Sequence, residues 1–256
     1  VTSPPAAKDA EQTPRPAFYA LRPGGWRDLV SVLHPPYSLW NVSNVAIGAA
    51  VAVHVYPLRL AAAVVAFFLA VGIGAHCLDE LNGHPLRTEL SDRTLIALGF
   101  GGLAGALAIG IAGVFIVSPT LIPLIAFGVF IAPAYNLEWF GGRFHTDFWL
   151  AVSWAGFAAL TGWWVNALGV HSFREALAAA AAILACCFLV TVQRRLSTPV
   201  RELRRRTVSL EGEQVLSDGT VRPLDRTDLI APLDAALRGL SVAVPLLALA
   251  MVALRL

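Results

Sequence analysis

Seven largely apolar runs, each near the about 17–25 residues a helix needs to cross a bilayer, constrain this chain more than any other feature. They are Leu39–Tyr56, Leu60–Leu78, Thr94–Val117, Pro119–Tyr135, Phe148–Leu168, Phe173–Val192 and Leu237–Leu254. The chain is 57% hydrophobic and 14% charged, whereas a soluble domain carries roughly 25% charged residues. The runs therefore read as spans of an integral membrane protein. Backbone groups in lipid must be satisfied within their own segment, which selects helices. The polar/apolar alternation of a spanning β-barrel does not occur. The expectation is an all-α bundle of about seven transmembrane helices, forming one domain over residues 26–256. Residues 194–236 form a basic cytoplasmic loop within it. Residues 1–25 are Pro-rich and polar, without the apolar core of a secretory signal, and read as a disordered tail.

Lys and Arg set the orientation. Sixteen of the 19 fall in the N-terminal tail, in the loops after spans two, four and six, or at the far end of the last of these. Arg59, Arg174 and Arg255 lie on the other side. Positive residues stay inside, which places the N-terminus and the long loops in the cytoplasm and the protein in the inner, cytoplasmic membrane as a multi-pass chain. Trp26–Leu33 reads as an amphipathic surface helix, with Trp26, Leu29, Val30 and Leu33 on one face and Arg27 and Asp28 opposite. His34-Pro35-Pro36 ends it. Cys77, Cys186 and Cys187 lie in or beside apolar runs and form no disulfide framework.

Chemistry concentrates where span two ends, at His76-Cys77-Leu78-Asp79-Glu80-Leu81-Asn82-Gly83-His84-Pro85. Ionisable groups at a membrane edge are costly and therefore mark a site. If the helix continues through Leu81, His76 and Glu80 share a face, with Asp79 beside them; Gly83 and Pro85 end it. Carboxylates and amides here suit magnesium with a phosphate-bearing substrate. With His76 and His84 they suit a transition metal instead, and a polar helix terminus is the plainer alternative. The loop after span four gathers Glu138, Arg143, His145 and Asp147 among aromatics. Arg143 is a candidate phosphate clamp or an orientation charge. Trp154 either lines an apolar pocket or packs. The arginines after span six anchor to anionic headgroups or cover an anionic substrate. There is no Gly-rich phosphate loop, no Gly-x-Ser-x-Gly and no paired-Cys metal spacing, and nothing that reads nucleic acid.

In their order, these segments resemble the UbiA superfamily of intramembrane prenyltransferases. His34-Pro35-Pro36-Tyr37-Ser38-Leu39 stands where that family has an Arg-Pro and a small hydroxyl before helix one, and Gly48 follows at a similar distance. His76–Asn82 stands at the family's first Asp-rich motif, His84-Pro85-Leu86-Arg87-Thr88 at its Arg-Pro-Leu segment, and Tyr135-Asn136 at its Tyr-Ser. Trp154 and Gly162 fit the helix-five pattern. The resemblance covers about residues 30–200. It implies an isoprenoid diphosphate substrate and magnesium (Mg2+) held by Asp79, Glu80 and Asn82. It also implies catalytic roles among His76, Asp79, Glu80 and His84, with Asn41, Arg87, Tyr135, Arg143, Trp154, Arg194, Arg195 and Arg201 around the substrate. Where the family has its second Asp-rich motif, this chain has Gln193–Glu202 with no Asp.

Three functions follow as expectations. One is a transferase or cyclase acting on an isoprenoid diphosphate. The second is a non-catalytic UbiA-like subunit that binds a lipid or pigment, or scaffolds a protein partner. The third is a metal-dependent membrane enzyme using His76, Glu80, His84 and His145. A transporter fits least, because the polar groups gather at one face.

Overall fold

The apolar runs fold as helices, each bonding its peptide groups internally as a lipid solvent requires. The computed structural model describes residues 15–256. A short helix, α1 (Trp26–Val32), leads into α2 (Pro35–Ala50). Six helices long and apolar enough to cross a membrane follow: α3 (Pro57–Leu81), α4 (Asp92–Ile116), α5 (Pro119–Asn136), α6 (Asp147–Ala167), α7 (Phe173–Arg205) and α8 (Arg226–Ala253). An antiparallel hairpin, β1 (Gly212–Val215) and β2 (Val221–Leu224), joins α7 to α8. Exposed Phe115 on α4, Phe188 on α7 and Leu249 on α8 form the apolar exterior that lipid accepts.

The first expected span differs most. α2 has 16 residues, or about 24 Å at about 1.5 Å per residue, less than a hydrocarbon core of about 30 Å. It begins at Pro35, not Leu39, and stops at Ala50, leaving residues 51–56 unwound. Irregular backbone at membrane depth needs partners in the protein, and it has them. The Tyr56 N–H donates to Asn166 Oδ1 at 2.8 Å, and the Arg255 guanidinium donates to the carbonyls of Ala52 and Val53. An Asn166→Leu variant strands the Tyr56 N–H. We expect it to cost about 1–3 kcal/mol, read as a lower unfolding midpoint in detergent.

α2 packs against α6 and α8. Its approach to α6 is backbone on backbone: a Cβ at Gly48 would overlap the Ala159 carbonyl, and one at Gly162 would overlap the Val45 carbonyl. Small residues permit this approach where apolar contact with lipid offers no drive to associate. α3 and α6 each contain a π-helical stretch, Phe68–Ala75 and Ala151–Gly156, a geometry frequent beside functional sites.

Two boundaries are corrected. About half of the expected loop 194–236 is helix, because α7 continues to Arg205 and α8 starts at Arg226. Leu196, Val200 and Leu203 recur at helical spacing and pack on Ile230, Leu233 and Leu237, so the extension has its own apolar seam. Of the expected tail, residues 1–14 lie outside the described residues. Ala17 and Ala20 are buried with Leu86, so the segment 15–20 is a strap across the bundle end. In α1, Trp26 and Leu29 are exposed, as a surface helix requires, with Val30 and Leu33 half-buried. Asp28 is buried and not on an outer polar face; its Oδ2 accepts from the N–H groups of Gly24 and Glu89.

Candidate functional site

Beneath the strap lies a cavity of about 500 Å³, enclosed by the ends of α2, α3, α5, α6, α7 and α8. Its cationic wall comes from α7. Arg194, Arg201 and Arg205 are spaced by seven and four residues, which puts them on one helical face, and all three line the cavity. Their pairing differs. Arg194 Nε donates to Asp147 Oδ1 at 2.8 Å, and Arg205 Nε to the Pro16 carbonyl at 3.3 Å. Arg201 donates to Thr198 Oγ1 at 3.3 Å and makes no ion pair among the described residues. Arg201 is thus a guanidinium left for an anion, as are Arg205 and Arg206, which line the cavity without an ion pair among the described residues. Arg204, three positions on from Arg201, is engaged with Asp234.

Opposite stand Asp79 from α3 and a stacked imidazole pair, His34 and His76, with ring centroids 4.1 Å apart and planes 14° from parallel. Ser38 Oγ donates to the Leu33 carbonyl at 2.5 Å and lies 3.3 Å from His76 Nδ1. Having given its proton away, Ser38 accepts from His76, which assigns the His76 proton to Nδ1 and leaves Nε2 with a free lone pair. His34 caps α2 in a left-handed conformation (φ 46°) and meets the Tyr19 hydroxyl at 3.1 Å. The aromatic floor includes Trp40, Tyr135 and Trp154, the last two with ring centroids 4.6 Å apart.

Enclosure under the strap, then the neighbouring His76, Arg205 and Arg201, hold the His34 imidazole well below its usual 6.5. The unfolded chain takes up this proton as pH falls through about 6.5, while the folded chain does not until lower pH. Below 6.5 the unfolded state therefore binds more protons, and stability declines with falling pH. We expect the unfolding midpoint to be lower at pH 5 than at pH 7.5, and a His34→Asn variant to show a smaller difference.

The structure gathers seven of the expected site residues at the cavity: Asn41, His76, Asp79, Tyr135, Trp154, Arg194 and Arg201. It takes others elsewhere. Glu80 is buried with its carboxylate turned to the following loop, accepting from Leu86 N at 2.8 Å, Thr88 N at 3.0 Å and Thr88 Oγ1 at 2.9 Å. It shapes the loop and does not line the cavity. Asn82 donates to Glu138 Oε1 at 3.3 Å, and His84 Nε2 meets Asp92 Oδ1 at 3.1 Å, both at the exposed surface. Arg87 and Arg143 are exposed. Left-handed residues, Arg87 itself and Glu138, Phe140, Gly141 and Gly142 before Arg143, turn these loops outward. Arg195 is about 100° round the helix from Arg194 and exposed.

Of the three oxygen ligands expected for magnesium, Asp79 alone reaches the cavity, and no three His, Cys, Asp or Glu groups come together as a metal site among the described residues. Glu80 and Asn82 are engaged elsewhere, so the three expected magnesium ligands do not converge on the cavity. Comparison with protein-family models, curated proteins and solved structures gave no match. Cavity groups that the sequence does not single out include His34, Tyr19, Trp40 and Arg205. Arg205 was reachable by extending the spacing from Arg194 and Arg201 along a continuous helix. Tyr19 carried no signal, since its segment is polar and Pro-rich.

Proposed function

We propose that this protein is a UbiA-like intramembrane transferase or cyclase that takes an isoprenoid diphosphate at the cytoplasmic end of its bundle. The carrying observation is the cavity itself, where one arginine face meets an aromatic, apolar floor. The diphosphate lies against Arg201, with Arg194 and Arg205 beside it, and the isoprenoid chain runs inward past Tyr135 and Trp154. Guanidinium groups bind phosphate in a bidentate way. In a site shielded from water they stabilise charge developing on a leaving group. Cleavage of the allylic C–O bond sends the electron pair to the diphosphate. An acceptor, or the chain's own double bond, then attacks the cation, and His76 Nε2 takes the proton released.

A second reading has its own support. Asp79 is the one expected carboxylate that reaches the cavity, while Glu80 is committed to the 86–88 loop. That fits a lipid-binding subunit without catalysis. Pyrophosphate release from geranylgeranyl diphosphate separates the two readings. The transferase reading expects release by the unaltered protein and at least about a tenfold loss in Asp79→Ala and in His76→Phe, the effect of removing one positioned acid–base or charged group. Equal, slow release by all three proteins leaves the non-catalytic reading.

A further inference from the structure

The strap crosses the end of the bundle on few and weak contacts. Arg204 Nη1 donates to the Arg15 carbonyl at 3.1 Å, and Arg205 Nε to the Pro16 carbonyl at 3.3 Å. Both are long for a guanidinium. Its bonds to an anionic oxygen run about 2.7–2.9 Å and are roughly twice as strong as bonds between neutral groups. Ala17 and Ala20 bury only small side chains beside Leu86. The Arg238 guanidinium lies 5.0 Å from the Phe18 ring centroid, and the Tyr19 hydroxyl meets His34 Nδ1. Just beyond, the Leu21 N–H donates to Ser31 Oγ at 2.9 Å and fixes the downstream end.

Docking also leaves a defect behind the strap. Arg204 divides its fork between Arg15 and Asp234, and meets Asp234 through Nη2 and Oδ2 alone. Arg204 Nε and Asp234 Oδ1 are buried without a hydrogen-bond partner among the described residues. An arginine–carboxylate pair commonly closes with two parallel bonds, and buried polar groups are normally paired. Releasing the Arg15 carbonyl frees the guanidinium to turn and make the second bond.

We propose that the strap is an autoinhibitory latch, in which the Arg15 and Pro16 carbonyls occupy Arg204 and Arg205 until a phosphate-bearing ligand takes Arg205 and lifts it. The phosphate brings full negative charge where Pro16 brings a neutral carbonyl, so the anion wins the exchange. Arg204 then closes on Asp234, and the cavity opens at that end. This rests on the arginine wall taking a phosphate group, as in the proposed function, but not on catalysis there.

The probe is inorganic pyrophosphate in EDTA, added to the purified full chain in detergent, against chloride at matched ionic strength. Chymotrypsin reads the strap, because cleavage after Phe18 and Tyr19 follows the population of the lifted state when reclosing outpaces cleavage. We expect saturating pyrophosphate to speed cleavage there at least about threefold, on the scale of one hydrogen bond exchanged. Cleavage after the exposed Phe140 should not change. Coupling is reciprocal. A Phe18→Ala/Tyr19→Ala variant, with its strap unpinned, is therefore expected to bind pyrophosphate at least about threefold tighter by calorimetry. Pyrophosphate that binds the unaltered protein yet leaves strap cleavage unchanged, slows it, or speeds cleavage after Phe140 equally overturns the latch and leaves the proposed function standing. Weaker binding by the folded variant overturns it too, since the strap would then be a lid that holds its ligand. Binding to neither protein defeats the arginine wall as a phosphate site, and the latch with it. If circular dichroism shows the variant unfolded, cleavage of the unaltered protein decides alone. Strap release by pyrophosphate without turnover of geranylgeranyl diphosphate defeats the catalytic reading and leaves the latch standing.

Discussion

Replacing Arg201 with Gln is expected to weaken geranylgeranyl diphosphate binding by about a hundredfold, on the scale of losing one charged partner from a shielded, hydrogen-bonded ion pair. Three neighbouring arginines have prior engagements. Arg194 holds Asp147, Arg204 holds Asp234, and Arg205 ties down the strap through the Pro16 carbonyl. Arg201 donates only to a threonine hydroxyl and has no ion pair among the described residues, so its charge is available on the cavity wall. Arg201→Lys keeps the charge and loses the planar fork, and is expected to recover part of the affinity but not all of it. Arg195→Gln is the matched control: it removes a charge of the same sign from the same helix, one residue from Arg194, on the face turned away from the cavity. Equilibrium titration of the three variants checks this. If Arg195→Gln weakens binding as much as Arg201→Gln, the arginines act as a diffuse surface charge and not as a site.

The second large effect concerns how the cavity is held. Gly162→Val is expected to destabilise the bundle by about 3 kcal/mol or more, at or beyond the upper end of ordinary overpacking. A Cβ there would overlap the Val45 carbonyl, which belongs to helix backbone and has no rotamer to change. The reciprocal contact, Gly48 on the Ala159 carbonyl, doubles the constraint. Separation of α2 from α6 also moves Asn41 away from Trp154, so ligand binding should fall with stability. Gly101→Val carries the same propensity cost at a helical position with nothing within 4 Å, and isolates the steric part. Unfolding midpoints and recovery of monodisperse protein measure both. A Gly162→Val protein that unfolds with the same midpoint as Gly101→Val would refute the backbone-contact account.

The extent to which this architecture could be read from the sequence follows from which interactions are local. Length and apolar content located every long helix, because a span must satisfy its own backbone. The first helix was displaced because its end depends on remote partners, Asn166 and Arg255, that rescue residues 51–56. The α7 extension was hidden because its seam of Leu196, Val200 and Leu203 lies among arginines that dominate the composition. In the site, the cluster after span two drew attention through its density of ionisable groups. Density does not say where each carboxylate points. Asp79 and Glu80 are adjacent in sequence and about 100° apart on a helix; Asp79 faces the cavity, and Glu80 turns to the 86–88 backbone. The His34–His76 stack needed the left-handed turn at His34, which a His-Pro-Pro sequence does not announce.

The central claim is that the arginine face of α7 recognises a diphosphate joined to an apolar chain. Titration of geranylgeranyl diphosphate against geranylgeraniol, on the unaltered protein in detergent containing EDTA, tests it most directly. The two ligands share the isoprenoid chain and differ in the anionic head. Recognition by guanidinium groups predicts that the diphosphate binds at least about a hundredfold tighter than the alcohol, even with divalent cations removed. Equal affinities for the two, or a preference that vanishes in EDTA, would contradict it.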